Sequence, residues 1–164
     1  MANQNPNDMR VLLADDDHAI RQLVTTIMRR ERLPIDAAVD GLEAIELLKR
    51  HEYAVILLDL MMPRADGFGV IDYLAKHPPS SKPVVLVITA YADQKFKEVN
   101  PDIVAGVIRK PFEVADLGAL VRLCALGYDE ELTQKLYLSN DPTIRQFAAV
   151  TTPREDEGDD SRQH

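Results

Sequence analysis

In Val11-Leu12-Leu13-Ala14-Asp15-Asp16-Asp17, four apolar residues run without alternation into three carboxylates. A short continuous apolar run of this kind is the pattern of a strand covered on both faces, as in a parallel sheet. Directly after it, Ile20, Leu23, Val24, Ile27 and Met28 recur at the spacing of one helix face, and Asp17 stands where an N-cap belongs. The alternation continues outward from there. Ile35–Val39 is a β-prone stretch before the turn Asp40-Gly41, and Leu42, Ile45 and Leu48, with Ala44 and Leu47 beside them, outline a second helix. Ala54–Leu58 reads as a strand and Phe68–Lys76 as a helix closed by Pro78-Pro79. Pro83–Ile88 is a strand, Asp93–Val99 a short helix stopped by Asn100-Pro101, and Gly106–Arg109 a fifth strand. Val114–Leu126 is the last helix, with Leu117, Leu120, Val121 and Cys124 at helical spacing and Gly127 as its C-cap.

Five strand–helix units predict an α/β fold: a doubly wound five-stranded parallel sheet with helices on both faces. In such folds ligands sit beyond the carboxyl ends of the strands. The residues there are Asp15-Asp16-Asp17, Asp59, Thr89-Ala90 and Lys110-Pro111. Carboxylates gathered at one edge cannot all ionise cheaply, so the arrangement calls for a cation. All-oxygen donors suit a hard ion such as Mg²⁺, which is held by one or two carboxylates plus a phosphate. A lysine and a threonine nearby supply donors for phosphoryl oxygens, and a carboxylate can itself be the nucleophile, forming an acyl phosphate. Taken singly, Asp59 reads as a surface turn, Thr89 as a structural hydroxyl and Lys110 as a solvated charge. Together, at the ends of separate strands, they point to Mg²⁺-dependent phosphoryl transfer onto an aspartate. His18 reads as a first-turn helix residue, Asp66-Gly67 as a turn and Cys124 as core.

The set Asp15-Asp16, Asp59 with Met62-Pro63 and Asp66-Gly67, Thr89-Ala90, and Lys110-Pro111-Phe112 resembles the receiver domain of bacterial response regulators, chemotaxis regulators among them. The resemblance implies a flavodoxin-like receiver fold. It also implies roles: Asp59 as phosphoacceptor, Asp16 as a direct Mg²⁺ ligand, Asp15 as a ligand through water, and the Met61 backbone carbonyl as the third protein ligand. Thr89 resembles the switch hydroxyl and Lys110 the lysine that bonds a phosphoryl oxygen. The Lys110–Pro111 peptide is usually cis in this family. The resemblance implies no enzyme acting on a separate substrate, but a phosphoacceptor that self-phosphorylates from small donors and dephosphorylates slowly. One departure stands out. Receivers usually carry Tyr or Phe three residues before the lysine, whereas this chain has Val107, which has no ring to swing between Thr89 and the output face.

With 164 residues, 46% hydrophobic and 28% charged, the chain suits one domain with a real core and a short addition. It divides into a disordered start (1–8), a receiver domain (9–127), a short helical extension (128–150) and an acidic disordered tail (151–164). No apolar run approaches the ~20 residues of a membrane span, the first ten residues are too polar for a signal peptide, and the single cysteine can form no internal disulfide. These features point to the cytoplasm and away from a membrane partner. A net charge of −8 speaks against nucleic acid as a direct partner. The 37 residues after Gly127 are too few for a separate effector domain. The leading expectation is therefore a stand-alone receiver. It is loaded by a histidine kinase or phosphotransfer protein and signals to an output protein that the sequence does not name. Residues 128–150 would pack on the receiver, contact a partner or form a homodimer. The alternative is a DNA-binding regulator whose tail forms a dimeric or helix-turn-helix-like reader. Glu131-Leu132-Thr133 and Thr143-Ile144-Arg145 faintly resemble such a reader, but only Lys135 and Arg145 lie there as bases.

Overall fold

Both faces of every central strand are covered, which is why the strands are apolar without alternation. The computed structural model describes residues 9–90 and 98–127. The expected disordered start, most of the helix Asp93–Val99, the 128–150 extension and the 151–164 tail lie outside the described residues. The elements run β1 (Val11–Ala14), α1 (His18–Arg30), β2 (Ile35–Ala38), α2 (Gly41–Arg50), β3 (Val55–Leu58), α3 (Gly67–Lys76), β4 (Val84–Thr89), β5 (Val104–Arg109) and α4 (Val114–Leu126). The sheet is parallel throughout, in the order β2-β1-β3-β4-β5. The strand order reverses between β1 and β3, the place where ligands of open α/β sheets sit.

Side chains that alternate along each strand serve two separate cores. Val11, Leu13, Val55, Leu57, Leu86, Ile88 and Ile108 meet α1 and α4, packing on Val24, Ile27, Met28, Leu117, Leu120, Val121 and Cys124. Leu12, Ala14, Ile56, Leu58, Val85, Val87 and Val107 meet α2 and α3, packing on Ala44, Val70, Ile71 and Leu74. Cys124 is core, as its place on the helix face predicts. Aspartate caps start three of the helices. Asp17 accepts from the Ala19 and Ile20 amides, Asp40 from Glu43 and Asp66 from Gly69. Each such cap contributes about 1 kcal/mol.

Several local expectations need correction. Leu23 and Leu42 were expected on buried helix faces, yet they are 38% and 55% exposed. In α2 the buried line passes through Gly41 and Ala44, because the helix docks backbone-first on the loop after β3, and this turns Leu42 outward. Asp40-Gly41 and Asp66-Gly67 are not free turns. Each is an N-cap followed by the first helical residue. β5 begins at Val104, two residues before Gly106, with a bulge opposite Val85/Leu86. Asn100 prepares that start: its side chain accepts from the Asp102 amide, and its carbonyl accepts from Ile103 and Val104.

At the edge opposite the strand ends, Asp36 accepts from Arg10 (2.9 Å) and from the buried Tyr53 hydroxyl (2.8 Å). Burial pushes the Asp36 carboxyl up, but the two hydrogen bonds and the guanidinium outweigh it and hold the group below its ordinary value. A lowered carboxyl pKa stabilises the fold above the unfolded value of about 3.9, and that stability is lost as pH falls through the folded value. Tyr53→Phe removes one of these bonds. Urea unfolding should show a loss of about 1 kcal/mol at neutral pH, shrinking as the pH drops through the carboxylate range. A loss that stays constant down to acid pH would mean that the hydroxyl acts independently of the Asp36 charge.

Candidate functional site

The site residues are the last rungs of the sheet. The Asp15 amide donates to Ala38 O (3.1 Å), the Asp59 amide to Ala14 O (2.9 Å) and the Lys110 amide to Thr89 O (3.0 Å). Parallel pairing thus carries β1, β3, β4 and β5 to one edge and fixes the residues that leave them. Asp15 (1% exposed), Asp59 (6%) and Thr89 (1%) are buried there, while Asp16 is exposed. One carboxylate oxygen from each of Asp15, Asp16 and Asp59 lies within 4.8 Å of the others. Lys110 Nζ reaches across to Asp15 Oδ2 (2.7 Å) and Asp59 Oδ2 (3.1 Å). The Lys110–Pro111 peptide is cis.

The second oxygens are also engaged. Asp59 Oδ1 accepts from the Met61 amide (3.1 Å), and Asp15 Oδ1 accepts from the Asp17 amide (2.9 Å). Burial pushes the Asp59 carboxyl above its ordinary value and the Asp15 charge adds to this, against the opposing pull of the Met61 amide and Lys110. Burial pulls the Lys110 ammonium down. Its bonds and fields from Asp15 and Asp59 outweigh that, and its pKa stands above the ordinary lysine value. Lys110 therefore stays charged, yet among the described residues its one ammonium bonds only two of the three carboxylates. Excess negative charge on closely set oxygen donors is the environment that a hard divalent cation fits.

Every sequence-predicted residue lies at this edge. Met61 is at the rim, 50% exposed. Val107 is buried two residues before the end of β5, paired with Val87, and belongs to the core under α2 and α3. His18 opens α1 and is exposed, as a first-turn residue should be. Arg21 escaped the sequence reading, and Gly67 was read there only as part of a turn and motif. Arg21 Nη1 donates to the Asp15 carbonyl (2.9 Å), which only its position one turn into α1 could have suggested. Gly67 packs against the root of the Asp59 loop: a Cβ there would fall 2.4 Å from Asp59 O and 2.7 Å from Leu60 Cα. The signal available was a glycine directly after a capping aspartate. Gly67→Ala must push that backbone aside, an overpacking effect of about 1–3 kcal/mol. Chemical denaturation should register it. Unchanged stability would mean that the loop yields freely and does not hold Asp59 in place.

Residues 11–122 match the response regulator receiver domain family. The probable transcriptional regulator ycf27 of Porphyridium aerugineum is 33% identical over 114 residues, 69% of this chain and 46% of its own length. The DNA-binding dual master transcriptional regulator RpaA of Synechocystis is 34% identical over 114 residues, 69% of this chain and 47% of its own. The chain thus spans under half the length of these relatives. Among solved structures, the Francisella response regulator 1452 receiver domain superposes with a TM-score of 0.64 at 29% identity, covering 72% of this chain and 97% of that one. The response regulator TrrA of Thermotoga maritima, solved in complex with Mg(2+)-BeF, gives 0.63 at 25% identity, covering 71% and 98%. By its fold and by the match across nearly all its described residues, this chain belongs to the family of response regulator receiver domains.

Proposed function

We propose that this chain is a phosphorylation switch in which Asp59 accepts a phosphoryl group from a histidine kinase or phosphotransfer protein. The observation that carries the reading is the convergence of Asp15, Asp16 and Asp59 within 4.8 Å, with Lys110 bonded to two of them. Asp15, Asp16, Asp59 and the Met61 carbonyl would hold Mg²⁺. Bound there, the ion offsets the negative charge that carboxylates and phosphoryl oxygens bring together. A carboxylate oxygen of Asp59 attacks phosphorus, the bond from phosphorus to the donor breaks, and the donor leaves with the electron pair. Lys110, already hydrogen-bonded to Asp59, is placed to follow the charge onto a phosphoryl oxygen, and Thr89 supplies a hydroxyl from the end of β4. The chain modifies its own residue and is not an enzyme in the ordinary sense. Self-dephosphorylation is slow, because Met61 offers a thioether at the rim and not a carboxylate or amide to orient water.

Output runs through protein–protein contact in the cytoplasm. Among the described residues no helix is long and apolar enough to cross a membrane. A homodimer is one form such contact can take. Val107 cannot swing as an aromatic would, so the response travels from Thr89 into the residues that follow β4. A second reading has one observation in its favour: the relatives above are transcriptional regulators, and one is named as DNA-binding. On that reading the chain is the receiver of a DNA-binding regulator. The net charge of −8 weighs against direct DNA contact by this chain, and salt-dependent retention on DNA would reverse that judgement. The primary test is intact-mass analysis after incubation with acetyl phosphate, with Mg²⁺ and with a chelator. Uptake only with Mg²⁺ supports the reading; no uptake under either condition overturns it.

A further inference from the structure

The loop between β3 and α3 carries Met61 and is fastened at both ends. At its root the Met61 amide bonds Asp59 Oδ1 and the Gly67 amide bonds Leu60 O (3.1 Å). Leu60 and Met62 are buried on either side of the half-exposed Met61. The far part, Pro63–Ala65, turns tightly, with the Ala65 amide on Pro63 O (2.9 Å), and leans on α2. There the two backbones touch. The Gly41 amide donates to Ala65 O (2.8 Å), and a Cβ on Gly41 would lie 2.5 Å from that oxygen.

Side chains complete the junction. The Asp40 carboxylate is 2% exposed, with Oδ1 capping α2 through the Glu43 amide and Oδ2 paired with Arg64 Nη2. Glu43 in turn accepts from the Val39 amide (2.8 Å). Arg64 adopts φ +67°, a left-handed backbone that non-glycine residues disfavour and keep only where their surroundings demand it. Its side chain is 67% exposed, so side-chain packing does not impose this conformation; the Ala65–Pro63 and Gly41–Ala65 backbone bonds hold the turn, and the Asp40 contact ties its side chain down. Asp40 also lies two residues beyond Ala38, which pairs with Ala14, so it stands beside the Asp15–Asp16 corner.

Resting on the phosphoacceptor reading, we propose that Asp40 and Arg64 are positioning residues: their ion pair latches the β3–α3 loop to the start of α2 and so sets Met61 for the cation. Neither residue touches the cation. Each acts through the loop that presents one of its ligands, as outer groups around metal sites do.

The test separates this role from a structural one. Arg64→Gly removes the guanidinium while glycine adopts φ +67° freely, so the backbone strain is relieved. Asp40→Ser keeps a helix cap but removes the charge. Isothermal titration of the full-length chain with Mg²⁺ should give about tenfold weaker binding in each variant. The double variant should be no weaker than either single one, because both break the same contact. Arg64→Lys should recover most of the affinity. At saturating Mg²⁺ the labelling rate from acetyl phosphate should return to within about twofold of wild type, since the latch acts on metal affinity and not on Asp59. Mg²⁺ affinity unchanged in both single variants overturns the latch. Failure of wild type to label is a different result, and it overturns the phosphoacceptor reading itself.

Discussion

Asp59→Asn takes up no phosphoryl group under conditions in which the wild-type chain gains the mass of one. The substitution keeps the shape and one of the two hydrogen bonds: the single amide oxygen can accept either from the Met61 amide or from Lys110, which bond different oxygens of Asp59. It removes the nucleophilic charge. The expected loss is at least about 100-fold in labelling rate, on the scale of losing a nucleophile. Equal uptake by the two proteins would mean that the phosphoacceptor lies elsewhere. The same variant should also melt higher than wild type in Mg²⁺-free neutral buffer. Burial and Asp15 raise the Asp59 pKa in the folded chain. The stability linked to that raised value is fully present below the unfolded pKa of about 3.9 and is lost as pH rises through the folded value. At neutral pH wild type has lost it, while the uncharged variant has nothing to lose. The difference in melting should therefore close on acidification.

Asp16→Ala should lower Mg²⁺ affinity by at least about tenfold and remove most of the rise in melting temperature that Mg²⁺ gives wild type, since a ligand bound only by the folded state stabilises it. The result is clean because Asp16 is exposed, and surface changes usually shift stability by no more than about 0.5 kcal/mol. Its neighbour should behave differently. Asp15 is buried and holds Lys110 at 2.7 Å, so Asp15→Ala also leaves a half-buried ammonium with one partner fewer. The metal-free fold should weaken as well. Calorimetric titration and thermal melts of both variants would separate a ligand from a residue that also neutralises a buried charge. Unchanged Mg²⁺ affinity in Asp16→Ala would place the cation elsewhere.

Strands and site residues were legible in the sequence because their signals are local. Val11–Ala14 and Val55–Leu58 must be apolar on both sides, and polar residues at their ends must fall on one edge. What stayed hidden depends on where elements meet. Whether Leu42 faces inward depends on how α2 docks, and that is set by the contact of Gly41 with Ala65 O, 24 residues away in sequence. Asp66-Gly67 stood out in the sequence, but the reason Gly67 can carry no side chain, another backbone passing beside it, did not. Arg64 with Asp40, and Tyr53 and Arg10 with Asp36, pair across separate elements at ordinary polar positions.

Parallel winding has an electrical consequence. Every helix that returns from a strand's carboxyl end begins at that edge, so α1, α2, α3 and α4 all direct their N-termini toward it. Each N-terminus bears roughly half a positive elementary charge from its aligned peptide dipoles. The edge that gathers Asp15, Asp16, Asp40 and Asp59 is thus also the positive pole of the backbone. The opposite edge receives the helix C-termini, and there the last turns carry Arg29, Arg30, Lys49, Arg50 and Lys76. Side-chain charge and peptide dipole oppose each other at both poles. Lys110 is then not the acidic edge's only source of positive potential, and on the proposed function a phosphoryl group reaching Asp59 would enter a field that the backbone has already tilted in its favour.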